Sequence, residues 1–430
     1  MFLGLTLLKP EKIFYILVFF LGVENIFFLY HSFSQPVSDE KIYFYYIMIL
    51  FLFLGLMIKK SSRLLPEYPG TRIDPLIFVF FLWATLSLIW SQNRVHSAFE
   101  YFRFLDALIL FFLMVSFIDS EKKIFRLAWA LTITATVIAI MAALSFYADD
   151  WLHQTRLYNN IYFQAGFTHF NKRAGGLMGH NIEAFYMNIC LPFSFEIFRR
   201  LKGKVRKMLF LIIPFTIMIG VFLTRSRSAT VGLLIGFNVY MYLNFPLKIH
   251  LKKNFIKYTL FATVCVILIL ILSDIQNVSD EMERYVKPFY KTHSRLPSYA
   301  RGLIWSAGFE RFFHSMGFGV GCGGFKGIRS YPPHGHSLYF TPLFELGVIG
   351  FLIWIPLLTR IGHSVIDSFK KRADSIYLGF LRAATVALIT CAFHGIFDFH
   401  YDNMRLWLII GIAMSIVNLI DKEPQYPAAH

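Results

Sequence analysis

The chain has 430 residues, of which 56% are hydrophobic and 16% charged, with 49 phenylalanines and a mean hydropathy of +0.55. That balance exceeds what a soluble globular core needs and points to a polytopic membrane protein. The formal net charge of +16 is in large part the loop bias that orients any multi-span protein, and anionic lipids reward it, so membrane lipids are expected partners and nucleic acid is not.

Apolar runs long enough to cross a hydrocarbon layer of roughly 30 Å fall near residues 13–30, 42–58, 75–90, 104–118, 127–147, 181–197, 208–223, 229–246, 258–273, 338–358, 377–395 and 405–420. The expected fold is therefore all-α, with about twelve transmembrane helices. Lys and Arg collect after every second run: Lys59, Lys60, Arg63 and Arg72; then Lys122, Lys123 and Arg126; then Arg199 to Lys207; then Lys248 to Lys257; then Lys370, Lys371 and Arg372. These loops read as cytoplasmic, and both termini with them. The segments at 31–41, 91–97, 148–180, 224–228, 274–337 and 396–404 then lie outside. Three regions follow: residues 1–273 with nine helices and the outer loop 148–180, residues 274–337 as a large, partly helical outer loop domain, and residues 338–430 with three helices and a short cytoplasmic tail. The first apolar run lacks a small-residue cleavage site and reads as a retained helix. Cys190, Cys265 and Cys391 sit inside apolar runs and leave Cys322 without an outer partner, so no disulfide framework is expected.

Chemistry concentrates in the outer loops, where the orientation rule disfavours basic residues. Arg156, Lys172 and Arg173 lie in the first long loop. The tight turn Thr224-Arg225-Ser226-Arg227-Ser228-Ala229 joins two apolar helices, where an uncompensated charge is costly. Of its two arginines, Arg227 is the one expected to point into the bundle, while Arg225 can equally snorkel outward. The segment Pro297 to Trp305 starts a helix that Ser298 can cap, with Arg301 in its first turn. A first-turn arginine opposes the helix dipole unless an anion binds there, although pairing with Asp280 or Glu281 would also satisfy it. Guanidinium forks match phosphate oxygens, so the set Arg225, Arg227 and Arg301 suits a lipid-linked phosphate or diphosphate.

Next comes Gly317-Phe318-Gly319-Val320-Gly321-Cys322-Gly323-Gly324. Its spacing mimics a dinucleotide loop, but no strand precedes it and no crossover helix carries it. It reads instead as a loop that lets backbone approach closely or lets the outer domain move. In Tyr331-Pro332-Pro333-His334-Gly335-His336-Ser337 two histidines stand where the outer loop meets an apolar run. One His-x-His pair supplies two ligands, and His293, His314, Asp398 and His400 add no recognisable metal spacing, so no metal is expected. His334 reads as satisfied by backbone carbonyls, whereas His336 is the candidate general base, since histidine is the residue type suited to that work. Glu345, farther along the same run, is a candidate to orient a basic group. Glu100, Arg103 and Asp106 read as an internal ion network, and Asp398, His400, Asp402 and Arg405 close the last outer loop, where they can face the same cavity.

His336-Ser337, nine residues, Gly347, two residues and Gly350 resemble the signature of the O-antigen ligase family. Ser226-Arg227-Ser228-Ala229-Thr230 is similar to that superfamily's outer-face arginine turn, Ala300-Arg301-Gly302-Leu303-Ile304-Trp305 to its second arginine segment, and Arg173-Ala174-Gly175-Gly176 with Asn181 to another shared element. The resemblance implies a membrane glycosyltransferase of GT-C-like fold in the bacterial inner membrane, with its site facing the periplasm. It implies transfer of polysaccharide from undecaprenyl diphosphate to a sugar hydroxyl of lipid A-core, in lipopolysaccharide biosynthesis, without metal, nucleotide or other cofactor. In that reaction His336 would be the base of an inverting displacement, and Arg227, Arg301 and Arg225 would hold the diphosphate. Arg173, His334, Ser337 and Glu345 would support them. An O-antigen polymerase and a protein O-oligosaccharyltransferase share much of this pattern, but a protein glycosylating enzyme usually carries a larger periplasmic domain after its spans. A carrier-lipid flippase would need polar residues along the whole bundle interior, and here they concentrate outside.

Overall fold

The structure, a computed structural model, describes residues 10–22, 28–31, 41–61, 68–91, 93–147, 180–244, 300–327, 335–371 and 374–423. In chain order these form α1 (Pro10–Gly22), a hairpin of β1 (Phe28–His31) and β2 (Lys41–Tyr43), α2 (Phe44–Ser61), α3 (Asp74–Ser87), α4 (Arg94–Phe117) and α5 (Glu121–Tyr147). Then come α6 (His180–Arg200), α7 (Lys204–Phe210), α8 (Ile212–Leu223), α9 (Arg227–Asn244), α10 (Ala300–His314), α11 (Phe340–Lys371), α12 (Leu378–His394) and α13 (Met404–Lys422). Helices fall where hydropathy places them, with one correction. The run 13–30 is not a single helix: α1 stops at Gly22, and Phe28–His31 pairs antiparallel with Lys41–Tyr43, Tyr30 opposite Ile42. The aromatic-rich stretch Phe28-Leu29-Tyr30-His31 suits a strand as well as a helix. The expected run 258–273 lies outside the described residues.

Among the described residues, four segments, Glu121–Leu144, Lys204–Leu223, Phe340–Lys371 and Met404–Lys422, are long and apolar enough to cross a membrane, and Tyr46–Gly55, Asp74–Trp90 and Leu378–His394 are shorter apolar helices. This is a multi-pass membrane protein. Exposed Phe78, Leu82, Met208, Phe215 and Leu352 present the apolar outer surface that lipid requires.

α13 forms the centre. It packs against α4, α11 and α12, and its apolar side chains are buried on every side, as expected of a helix with no polar face. Gly411 permits the approach of α4, since a Cβ there would stand 2.7 Å from that of Met114. Ser415 Oγ donates to the Met114 carbonyl at 3.2 Å in the same seam. Around this core α6 packs on α5, α8, α9 and α12, while α3 and α10 pack on α11.

The basic loops gather at one end. Arg72 before α3 and Lys371 at the end of α11 both meet Asp421 at the end of α13, at 2.6 Å and 3.3 Å. Arg200 at the end of α6 pairs with Glu121 at the start of α5 and stacks 4.2 Å from the Phe380 ring centroid. The α8–α9 turn, the start of α11 and the α12–α13 loop lie at the other ends of these helices.

Candidate active site

His336 stands four residues before α11 in left-handed backbone, with φ of 45°. A non-glycine residue held there is strained, and its surroundings must hold it. They do so from both sides. Trp305 Nε1, from α10, donates to the Gly335 carbonyl at 3.0 Å, and Leu338 N donates to the Gly395 carbonyl at the end of α12 at 2.7 Å. Trp354 Nε1 reaches back along α11 to the Leu338 carbonyl at 3.0 Å. Ser337 is buried and acts as a helix cap: its Oγ accepts from Tyr339 N and Phe340 N, each at 3.3 Å.

The His336 side chain is 28% exposed, and its Nδ1 lies 3.3 Å from Asp398 Oδ1. Asp398 sits in the α12–α13 loop, where its N donates to the His394 carbonyl at 3.1 Å and its Oδ1 accepts from Phe399 N at 3.0 Å. Burial alone would raise this carboxyl. The His336 hydrogen bond and charge, with His394 and the Phe399 amide, outweigh burial and hold it well below the usual carboxylate range. A carboxylate that accepts the Nδ1 proton leaves the neutral ring's lone pair on Nε2, the arrangement that suits a base.

The arginine turn is built by capping. Thr224 Oγ1 accepts from Ser226 N at 3.2 Å, and the Ser226 carbonyl accepts from Thr230 N at 2.9 Å to start α9. Arg225 takes the left-handed conformation, with φ of 49°, that ends α8. Both Arg225 and Arg227 are exposed, which corrects the expectation that Arg227 points inward. At this register Ser226 and Ala229 are the buried positions, so the guanidinium groups stay outside and the small residues pack. Asn188 on α6 anchors the turn through a 2.8 Å bond to the Ala229 carbonyl, and Ser228 Oγ lies 3.1 Å from His394 Nε2.

Arg301 lies in the first turn of α10, one turn before Trp305. Arg173 and His334 lie outside the described residues. Two of the expected clusters therefore meet through named bonds. The arginine turn reaches α12 through Ser228 and His394, and four residues later Asp398 holds His336. The α10 helix joins them through Trp305 and Gly335.

The glycine loop acts by close approach. α11 kinks at Gly347, whose φ of 71° and ψ of −167° belong to glycine alone. The kink releases the Phe344, Glu345 and Leu346 carbonyls, which are met by Val320 N at 3.0 Å, Gly321 N at 2.8 Å and Trp83 Nε1 at 2.8 Å. A Cβ on Gly347 would stand 2.3 Å from the Gly317 oxygen and 2.5 Å from the Phe318 carbonyl carbon. Glu345 fastens the same loop: its Oε2 accepts from Gly323 N at 3.0 Å and from Tyr401 Oη at 2.8 Å. Burial holds the Cys322 thiol, 3.2 Å from that hydroxyl, well above its ordinary pKa.

Beside the pair lies the ion network expected of the fourth span, in altered form. Arg103 bonds Glu100 at 3.0 Å and also approaches Asp402 at 3.9 Å, while His400 Nδ1 stands 3.7 Å from Asp402. Burial pushes His400 down to about 3.

Residues 209–355 match the model of the O-antigen ligase family. That stretch is similar to the O-antigen ligase family. The match begins in the α7–α8 segment and ends within α11, so it takes in Arg225, Arg227, Arg301, His336, Ser337, Glu345, Gly347 and Gly350. It stops before His394 and Asp398. A teichuronic acid biosynthesis protein of Bacillus subtilis (strain 168), TuaE, is 20% identical to the chain over 96% of its length and 85% of the relative's own. The family points to an enzyme of O-antigen ligase or polymerase type with polysaccharide or lipid-linked substrates. His394 escaped sequence reasoning because it reads as the last residue of an apolar span. The signal that could have found it is the polar density of His394 to Asp402 between two apolar helices.

Proposed function

We propose that the protein is an O-antigen ligase of the bacterial inner membrane. It moves a polysaccharide from undecaprenyl diphosphate to a sugar hydroxyl of lipid A-core on the periplasmic face, in lipopolysaccharide biosynthesis. The observation that carries this reading is the His336 to Asp398 contact of 3.3 Å, within an arrangement that also ties in the arginine turn.

In the reaction, His336 Nε2 takes the proton of the acceptor hydroxyl while that oxygen attacks the anomeric carbon of the donor. The bond from that carbon to the diphosphate oxygen breaks, and undecaprenyl diphosphate leaves with the electron pair. Asp398 stabilises the imidazolium that forms, as a carboxylate does for the histidine of a triad. Arg227, Arg301 and Arg225 offset charge growing on the leaving diphosphate. Exposure of Arg225 and Arg227 suits a headgroup that arrives from the membrane surface. A single displacement inverts the anomeric centre. The gathered basic loops support a cytoplasmic location for the opposite end.

A second reading, polymerisation of carrier-linked glycan, is favoured by the likeness to a teichuronic acid biosynthesis protein along nearly the whole chain. One assay separates them. Purified protein in detergent receives undecaprenyl-diphosphate-linked glycan and lipid A-core, with a chelator and no nucleotide. A shift of the core lipid on a gel supports ligation, longer glycan on the carrier supports polymerisation, and neither product removes both.

A further inference from the structure

His394 is fully buried at the end of α12, and it touches both halves of the proposed machinery. Its ring packs between Phe185 of α6, with centroids 5.3 Å apart, and Phe399, at 4.8 Å. That packing fixes the plane in which Nε2 meets Ser228 Oγ at 3.1 Å. Its carbonyl accepts from Phe397 N at 3.0 Å and Asp398 N at 3.1 Å, and so shapes the turn that presents Asp398 to His336. Ser228 immediately follows Arg227, and its Oγ lies 3.4 Å from Ser226 Oγ.

We propose that His394 is a positioning residue, which through Ser228 holds the Arg225–Arg227 turn in register with the His336–Asp398 pair. The side chain sets the arginine turn and the backbone of the same residue sets the carboxylate, so leaving group and base keep one mutual geometry. Optimal transfer requires that geometry, because displacement needs the diphosphate and the attacking hydroxyl on opposite sides of one carbon. This role rests on the reading of the arginine turn as a diphosphate clamp.

The test measures binding of undecaprenyl diphosphate to the full-length protein in detergent, for the wild type and for Ser228→Ala, His394→Leu, His394→Gln and the Ser228→Ala/His394→Leu pair. Loss of one hydrogen bond at the base of the clamp is expected to weaken binding about tenfold in each of the first two variants. The double variant binds no more weakly than His394→Leu alone, since residues that act through each other are not additive. Gln, whose amide nitrogen replaces Nε2, keeps most of the affinity, which a general loss of packing would not allow. Ser228→Ala removes one oxygen from a helix start, so it keeps the test valid if His394→Leu fails to fold. Wild-type affinity in Ser228→Ala, or additive losses, overturns the role. Arg227→Ala serves as the separate control. If Arg227→Ala loses binding while Ser228→Ala does not, the inference about His394 alone falls. Wild-type affinity in Arg227→Ala, or no binding by the wild type, brings down the clamp and this inference with it.

Discussion

Gly347→Ala should unfold the join between the glycine loop and α11, and its cost can be worked from the contacts. The backbone at φ 71°, ψ −167° lies in a region essentially closed to L-residues, at about 1–3 kcal/mol. The new methyl would also meet the Gly317 oxygen at 2.3 Å and the Phe318 carbonyl carbon at 2.5 Å. Both are backbone atoms and cannot rotate away, so relief moves the loop, at about 1–3 kcal/mol more. Movement strains the bonds from Val348 N to the Gly317 carbonyl at 2.9 Å and from Gly321 N to the Glu345 carbonyl at 2.8 Å. A total near 4 kcal/mol is a large share of the stability of any domain. Thermal melting of the purified protein in detergent checks it, with Gly362→Ala on the same helix as the control. A Cβ at Gly362 meets nothing within 4 Å, so that variant should melt at or slightly above the wild type. A Gly347→Ala protein that melts with the wild type would refute the reasoning that the kink needs glycine.

Two smaller effects follow from the same geometry. Ser337→Ala removes the oxygen that accepts from Tyr339 N and Phe340 N and should cost about 1 kcal/mol; Ser337→Thr should restore it, and both are read from melting temperature. His400 is neutral in the folded protein down to about pH 3, whereas in the unfolded chain it protonates near 6.5. Between those values the unfolded chain binds the extra proton, so stability falls with pH at about 1.4 kcal/mol per unit, or about 2 kcal/mol by pH 5. His400→Gln should therefore show a shallower fall in melting temperature from pH 7 to pH 5 than the wild type. Asp398 does not confound that comparison. Its depressed carboxyl contributes stability that is fully present above the unfolded value near 3.9 and is lost only as pH drops below it.

Hydropathy carried most of the architecture, because a helix that must satisfy its backbone within itself leaves a long apolar run. The first run misled at Phe28–His31, since a short aromatic stretch fits strand and helix alike and only pairing with Lys41–Tyr43 decides it. The glycine loop was legible as a place of close approach, but its partner was not. Gly319 and Glu345 meet only because α11 kinks at Gly347, and nothing local in the loop records that. The inward direction expected of Arg227 is not what the helix start gives: with Ser226 leading into α9, the buried positions are Ser226 and Ala229. His336 stood out by residue type and place, whereas its partner Asp398, 62 positions on, was visible only as one of several polar groups in the last outer loop.

The rate of glycan transfer in His336→Ala and Asp398→Asn, each shown to be folded by its melting temperature, tests the pairing most directly. Loss of the base should slow transfer by about 10²–10⁴-fold, and Asp398→Asn should slow it by less, because the ring remains but its orientation and charge partner are gone. Transfer at the wild-type rate in His336→Ala would contradict the account.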